Sequence, residues 1–265
     1  MRYGFCTGFA VSPLFSIDSS LEEQIAGWGF DFVEYPLMSI AALDEAEFLK
    51  LKDRVLSNGL SCDCMCNLFP SSVPVIGEKT DENSIRRYLD RAFERASALG
   101  VKKIIFGSAG ARHLGDFGRA EADAQFLSCL KILDGTCEKY GIKVLIEAIR
   151  AGEADYINTL REGARMVQAA QEEGCRNIDL MADLFHMQSN GEPLSDLDEF
   201  SDLIGHIHVC EQERALPDAN FSEYLSGAFE ILKNRGYDLT VSYESVCPAS
   251  MEIGKAAAAL LKGFL

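Results

Sequence analysis

The sequence contains little that would attach it to a membrane or to a nucleic acid. It has no run of about 18 apolar residues, the length that a transmembrane helix needs. Its first residues form no apolar segment of the kind found in a secretion signal. Basic residues are few, with 25 Lys and Arg against 41 Asp and Glu and a formal net charge of −16, and so acidic a surface repels phosphate groups. We therefore expect a cytoplasmic protein without nucleic-acid or membrane partners.

Two common site motifs are also missing. The first strand-like run is followed by Thr7-Gly8-Phe9-Ala10, which lacks the G-x-G-x-x-G spacing of a dinucleotide-binding loop. The nine cysteines contain no C-x-x-C pair of the kind that holds zinc. Cys62, Cys64, Cys66 and Cys210 instead lie inside strand-like runs, so we expect reduced, buried thiols.

What the sequence does contain is a regular alternation of strands and helices. Eight short apolar runs recur about every 34 residues, the length of a βα unit. The runs are Tyr3–Cys6, Phe32–Tyr35, Cys62–Cys66, Lys103–Phe106, Lys143–Glu147, Ile178–Asp183, His206–Cys210 and Leu239–Glu244. Amphipathic segments typical of helices lie between or after them, at Ser84–Leu99, Asp123–Tyr140, Thr159–Glu173, Ser222–Arg235 and Ser250–Leu265. We predict one α/β domain over residues 1–265, a (β/α)₈ TIM barrel, with an open doubly wound sheet as the alternative.

Two connections from strand to helix are longer than the others. They run from Asn67 to about Asn83 and from Gly107 to about Ala120, and in a barrel both lie on the catalytic face, as lids or binding loops. In the second loop Arg112 follows a glycine-rich stretch whose backbone N–H groups are suited to an anion. We predict that Arg112 belongs to a substrate site. The alternative is a solvated arginine that pairs with Asp116 or Glu121.

Acidic and imidazole side chains stand at or near the ends of the last four predicted strands. They are Glu147, Asp183, His208 and Glu244. Neighbouring strands bring such side chains together at the barrel mouth, where three unpaired carboxylates would repel one another. Any one of them alone is explained equally well by an ion pair, a helix cap or a buried histidine. The four together favour one divalent cation, Mn²⁺ first with Mg²⁺ or Co²⁺ as alternatives, because the set is rich in oxygen ligands.

Three motifs in the second half of the chain carry a family resemblance. They are Ile146-Glu147, Asp183-Leu184-Phe185-His186-Met187 and the run HIHVCEQER from His206 to Arg214. Over nearly its whole length the chain resembles the xylose-isomerase-like TIM barrels known as sugar phosphate isomerases/epimerases. Within that family it is similar to the ketose 3-epimerases related to D-tagatose 3-epimerase.

The resemblance implies a role for individual residues. The metal ligands of the family correspond to the same four residues, Glu147, Asp183, His208 and Glu244. Its substrate-binding residues correspond to Glu153, His186 and Arg214, which follow a ligand by six, three and six positions. A weaker match places Cys6 and Glu34 in the pocket. The segments Ala148–Ala151 and Gly107–Arg112 depart from the pattern of the ketose epimerases, which leaves the sugar open.

These residues support proton transfer next to a carbonyl group. A bound cation would stabilise the enediolate, while Glu147 and Glu244 act as the acid–base pair. We therefore expect a sugar isomerase or epimerase, most specifically a 3-epimerase of a free or phosphorylated ketose, and leave open whether it forms a homo-oligomer.

Three other functional classes remain as alternatives to a sugar isomerase or epimerase. A metal-dependent dehydratase or lyase of a keto-polyol or keto-acid would use the same cation and the same proton abstraction. An endonuclease-like phosphodiesterase would need more histidines than the four at positions 113, 186, 206 and 208. A non-catalytic sugar-binding protein would have no need for three carboxylates in one place.

Overall fold

A closed barrel of parallel strands forms the centre of the molecule. The computed structural model describes residues 1–8, 21–217 and 219–264, and within these ranges eight strands pair in chain order. The strands are β1 Arg2–Cys6, β2 Phe32–Pro36, β3 Cys64–Cys66, β4 Lys103–Phe106, β5 Lys143–Glu147, β6 Ile178–Asp183, β7 Ile204–Val209 and β8 Thr240–Tyr243. Strand β8 pairs in parallel with β1, which closes the barrel. This confirms the predicted TIM barrel, because an open sheet would keep two unpaired edge strands.

Helices cover the outside of the barrel and connect its strands. Over the described ranges they are α1 Leu21–Trp28, α2 Leu37–Ala42, α3 Glu45–Ser57, α4 Glu82–Ala98, α5 Arg119–Tyr140, α6 Leu160–Glu172, α7 Leu184–Ser189, α8 Leu194–Glu199, α9 Glu223–Asn234 and α10 Met251–Phe264. The five predicted helices correspond to α4, α5, α6, α9 and α10, each beginning within four residues of its expected start; the expected last residue, Leu265, lies outside the described residues. None of these helices is both long and apolar enough to cross a membrane.

Polar side chains fix where several helices begin. Asp44 accepts a hydrogen bond from the backbone N–H of Glu47, and the Glu47 side chain accepts one from the backbone N–H of Asp44 before α3. Thr159 caps α6 and Ser222 caps α9, each by accepting a hydrogen bond from a backbone N–H three residues on. Caps of this kind stabilise a helix by about 1 kcal/mol each.

Apolar side chains pack on both sides of the strands. Outside the barrel the layer between strands and helices holds most of the core, and there Phe106 stacks on Phe126 with ring centres 5.2 Å apart. Inside the barrel lies a smaller cluster, made of Cys6, Phe32, Cys64, Cys66, Ile105, Leu145 and Met181. Cys62, Cys64, Cys66 and Cys210 are buried free thiols, as their strand-like runs led us to expect; four more cysteines are also buried, and Cys247 is exposed.

The ends of β5 to β8 meet at one rim of the barrel. Asp183 at the end of β6 lies beside His208 of β7, and His208 lies beside Ser242 of β8. The long connections after β3 and β4 reach the same rim and enclose a cavity of about 830 Å³ between them. The rim therefore carries both the polar strand ends and the two long loops that the sequence placed on the catalytic face.

Candidate metal centre

Four side chains from four consecutive strands meet at the rim. Glu147 ends β5, Asp183 ends β6, His208 lies in β7 and Glu244 follows β8 directly. Each offers one donor atom, and the four atoms lie within 4.8 Å of one another. None of the four residues is more than 5% exposed. The structure thus brings together all the residues that the sequence placed around a cation.

Glu34 at the end of β2 fixes the orientation of the histidine. Nε2 of His208 donates a hydrogen bond of 2.9 Å to Oε1 of Glu34, and Nε2 of His206 lies 3.2 Å from the other oxygen of the same carboxylate. On its far side His206 contacts the hydroxyl of Thr240, 2.7 Å from Nδ1. Burial opposes the charged form, but Glu34 and Glu244 outweigh it and raise the pKa of His208, so without a cation the imidazole is charged. When a cation replaces the proton on Nδ1, the bond from Nε2 to Glu34 remains, the arrangement in which a carboxylate supports a metal-binding imidazole.

The donor set fits a divalent cation. Nδ1 of His208 is buried and, in the described part of the chain, has no hydrogen-bond partner. It lies 3.4 Å from Oε2 of Glu244 and 4.0 Å from Oε1 of Glu147. Oδ1 of Asp183 caps α7 through the backbone N–H of Phe185, 2.8 Å away, which leaves Oδ2 for the centre. Three carboxylates and one imidazole suit Mn²⁺, Mg²⁺, Co²⁺ or Zn²⁺.

Burial and mutual repulsion divide the carboxylates into two states. Burial, together with the charge of Glu244, raises the pKa of Glu147 to about 8. Burial also opposes ionisation of Asp183, but the neighbouring His186, Arg214 and His208 outweigh it and lower the pKa of Asp183 to about 2. At neutral pH, without a cation, Glu147 therefore holds a proton and Asp183 does not.

Arg214 links two of the carboxylates to a second histidine. Its Nη1 donates to Oδ2 of Asp183 at 3.1 Å and to Oε2 of Glu244 at 2.5 Å. Its Nη2 lies 3.1 Å from Nε2 of His186, and the guanidinium stacks on the ring of Phe185 at 4.1 Å. Burial lowers the pKa of His186, so the imidazole is neutral and accepts this bond at Nε2.

An unusual backbone conformation directs Arg214 inward. Both Glu213 and Arg214 have left-handed backbones, with φ of 60° and 59°. Two successive non-glycine residues in this region store strain, which packing and hydrogen bonds around them must offset. The backbone carbonyl of Arg214 accepts a hydrogen bond from the N–H of Val246, which ties the segment to the connection after β8. The predicted substrate-binding arginine is therefore positioned against the carboxylates by its own backbone.

Two further predicted residues lie at different distances from the centre. Cys6, at the end of β1, is buried with its Sγ 3.6 Å from Oε1 of Glu244. Glu153 lies on the exposed connection after β5, where it accepts a hydrogen bond of 2.7 Å from Nε of Arg150. The structure therefore brings Cys6 to the carboxylates and leaves Glu153 at the edge of the site.

Arg112 lies beneath the site rather than in a solvated loop. It is fully buried, and Nη2 donates a hydrogen bond of 2.7 Å to the backbone carbonyl of Glu147. Among the described residues it forms no ion pair with Asp116 or Glu121, so the solvated alternative is wrong; the 3₁₀ turn Ala109–Ala111 carries the arginine inward. Burial lowers its pKa to about 10, which still leaves it charged at neutral pH. In this position it supports the end of β5.

The absence of a side chain at Gly107 makes room for the carboxylate of Glu147. A Cβ atom at Gly107 would lie 2.0 Å from Oε2 of the Glu147 side chain. The sequence marked this glycine only as part of an anion-binding loop. Its role in the structure is steric, and nothing in the local sequence signals that a carboxylate from the next strand occupies the space.

A family model covers most of the chain. The model described as "Xylose isomerase-like TIM barrel" matches residues 23–263. The chain belongs to the xylose isomerase-like TIM barrel family. This confirms the resemblance that the motifs of the second half indicated. A search of the curated proteins found no significant match.

Several solved structures share this fold at low sequence identity. A D-allulose 3-epimerase from Methylomonas sp., in complex with D-allulose, has a TM-score of 0.85 and 17% identity over 100% of this chain and 97% of that one. The 3-keto-D-glucoside 4-epimerase YcjR from E. coli has a TM-score of 0.78 and 19% identity over 99% of both chains. The protein IolI, described with a bound zinc atom, has a TM-score of 0.72 and 18% identity over 100% and 96%.

Proposed function

We propose that this protein is a divalent-metal-dependent sugar epimerase or isomerase, and specifically a 3-epimerase of a free or phosphorylated ketose. The observation that carries the proposal is a pair of carboxylates, Glu147 and Glu244, that reach one buried centre from β5 and from the end of β8. Asp183 and His208 lie between them in strand order. The two neighbours named as epimerases support the same class of reaction.

The four residues of the centre would hold the cation, which we propose to be Mn²⁺, with Mg²⁺ or Co²⁺ as alternatives. When bound, it supplies Lewis-acid stabilisation of the negative charge that develops on a substrate oxygen. A ketose places a carbonyl and a hydroxyl on adjacent carbons, so it offers two oxygens to a single centre.

Glu147 and Glu244 would move the protons. One carboxylate removes the proton from the carbon next to the carbonyl, and the other returns a proton to the opposite face, which inverts that carbon. Burial raises the pKa of Glu147 to about 8 in the cation-free protein, and a bound cation would lower it, so that the carboxylate form is available to remove a proton. Glu244 is held in place by its ion pair with Arg214.

Other side chains would position the sugar. Arg214 and the neutral His186 would bind hydroxyl oxygens and the developing negative charge. Glu153 would accept a hydrogen bond from a sugar hydroxyl in place of the one that it accepts from Arg150. Cys6 would contact the sugar beside Glu244. Arg112, which does not reach the open mouth, would act through the backbone of Glu147 as a positioning residue.

Proton exchange in D₂O tests this proposal. The protein, loaded with Mn²⁺, is incubated with a panel of ketoses and their phosphates, and the products are analysed by NMR. Deuterium at C3 with inversion supports the 3-epimerase, and deuterium at C1 or C2 with an aldose product supports an aldose–ketose isomerase. If none of the sugars undergoes exchange and a keto-polyol or keto-acid loses water instead, the proposal is contradicted and a lyase is favoured.

A further inference from the structure

Two buried thiols lie next to the carboxylate of Glu244, beside the oxygen that does not contact Arg214. Cys6 at the end of β1 and Cys66 at the end of β3 are buried, with their Sγ atoms 3.5 Å apart. Sγ of Cys6 lies 3.6 Å from Oε1 of Glu244, and one donor atom from each of the three residues lies within 4.8 Å of the others. We propose that Cys6, Cys66 and Glu244 form a second cation site, which takes a thiophilic divalent ion such as Zn²⁺.

The distances match those that one shared ion requires. For Zn–S bonds of about 2.3 Å and a Zn–O bond of about 2.0 Å, tetrahedral angles place two sulfurs about 3.8 Å apart and a sulfur and an oxygen about 3.5 Å apart. The observed separations, 3.5 Å and 3.6 Å, differ from these by a few tenths of an ångström. A disulfide would need the sulfurs to approach by about 1.5 Å. The arrangement is therefore already close to that of a metal ligand set.

The two oxygens of Glu244 point to different groups. Oε2 contacts Nη1 of Arg214 at 2.5 Å and lies 3.4 Å from Nδ1 of His208, on the side of the four-residue centre. Oε1 faces Cys6. One carboxylate thus contributes one oxygen to each site, and both sites hold an ion without competing for the same atom.

Gly8 leaves space in front of the three donors. A Cβ atom at Gly8 would lie 3.1 Å from Oε1 of Glu244 and 3.5 Å from the Sγ atoms of both Cys6 and Cys66. This point is nearly equidistant from the three atoms, so the missing side chain leaves open the position that an ion would approach. Gly8 is also partly exposed.

Binding at this site requires proton release and no redox change. The two thiols lose their protons to solvent as the Zn–S bonds form, and Glu244 binds as the carboxylate. Thiolate ligands select Zn²⁺ over Mg²⁺ and Mn²⁺, which prefer oxygen. An ion here occupies Oε1 of Glu244 and so withholds that oxygen from proton transfer, which makes occupancy of the second site inhibitory to the proposed reaction. The inference goes beyond the proposed function and does not depend on it, because it stands on the three donor atoms alone.

Metal titration of the reduced protein tests the proposal. With Co²⁺ as the probe, the wild type is expected to develop the thiolate-to-cobalt charge-transfer absorbance of a sulfur-ligated ion, and with Zn²⁺ it is expected to bind two ions per chain. The double variant Cys6→Ser/Cys66→Ser should lose the absorbance and bind one. The matched control Cys247→Ser changes the exposed cysteine and should keep both.

Two further variants separate this site from the first and from a folding defect. Asp183→Asn alters the four-residue centre and leaves the thiols untouched, so the absorbance should persist even if sugar turnover is lost. Gly8→Ala keeps both thiols but fills the space before them, and should weaken the absorbance at least tenfold at a fixed Co²⁺ concentration. Absence of the absorbance in the wild type, or its persistence in the double variant, would overturn the proposal and leave a hydrogen-bonded thiol pair.

Discussion

Glu34 and His208, 174 positions apart in the sequence, meet inside the barrel through a hydrogen bond of 2.9 Å between Oε1 and Nε2. The contact decides which nitrogen of the imidazole is available to a cation. It joins β2 to the four-residue centre on the far wall, and it places a residue of the first half of the chain in direct support of ligands that all come from the second half.

Replacement of Glu34 should weaken the cation site without removing a ligand. Glu34→Gln takes away the carboxylate that fixes the proton on Nε2 of His208. The loss of such support typically lowers metal affinity by about 10- to 100-fold. Calorimetric titration with Mn²⁺ measures it. Glu22→Gln is the matched control, because Glu22 is also a buried carboxylate but is bonded to Tyr35 and Arg54 rather than to a residue of the centre. A similar loss there would show a general effect of buried-charge removal.

A methyl group at Gly107 should displace Glu147. In Gly107→Ala the new Cβ would lie 2.0 Å from Oε2 of Glu147, so the carboxylate must move. We expect weaker Mn²⁺ binding and loss of proton exchange in a folded protein. Gly135→Ala, in the middle of α5 where nothing lies within 4 Å of the added methyl, should instead stabilise the protein by about 1 kcal/mol. Unchanged Mn²⁺ affinity in Gly107→Ala would show that Glu147 is not needed in its observed position.

Cation affinity should rise with pH up to about 8. Without a cation, burial raises the pKa of Glu147 to about 8, so below that pH a proton must leave before the carboxylate binds. The same raised pKa means that the contribution of Glu147 to the stability of the cation-free protein falls as pH rises from about 5 to about 8, because the unfolded chain ionises Glu147 first. The increase in melting temperature on adding Mn²⁺ should therefore be larger at pH 8 than at pH 6. A smaller increase at pH 8 would contradict the assignment of that proton.

Arg214 should matter for turnover more than for cation binding. In Arg214→Lys the positive charge stays, but one ammonium group cannot bridge Asp183, Glu244 and His186 as the guanidinium does. Loss of one or two charge-assisted hydrogen bonds corresponds to about 10- to 100-fold in kcat. Mn²⁺ affinity should change little. Arg165→Lys, on the exposed face beside Asp123, is the control and should keep wild-type turnover.

The sequence predicted the architecture well because the barrel repeats one local pattern. Runs such as Lys143–Glu147 and Ile178–Asp183 coincide with β5 and β6, since buried parallel strands are nearly continuous apolar segments bounded by glycine and polar residues. The seventh strand begins at Ile204 rather than His206, where a register shift between Leu180 and Met181 alters its pairing with β6. The four ligands were visible because each lies at or within one residue of the end of a strand.

The supporting residues were harder to find because their roles depend on distant parts of the chain. The pairing of Glu34 with His208 is created only when β2 and β7 face each other across the barrel. The burial of Arg112 depends on how a short 3₁₀ turn folds over β5, which composition does not reveal. The steric role of Gly107 follows from the neighbouring strand. In each case the partner lies more than 30 residues away, outside any local pattern.

The proposed transfer of the protons requires Glu147 and Glu244 together. It is tested most directly by deuterium exchange at C3 of a ketose that the wild type epimerises, measured for Glu147→Gln and Glu244→Gln at a Mn²⁺ concentration shown to load each variant. Circular dichroism confirms the fold, and Glu121→Gln serves as an exposed control. We predict that each of the two variants loses exchange by at least about 10²-fold, the usual contribution of a positioned acid or base, while the control exchanges like the wild type. Exchange at the wild-type rate in both variants would show that Glu147 and Glu244 do not transfer the protons.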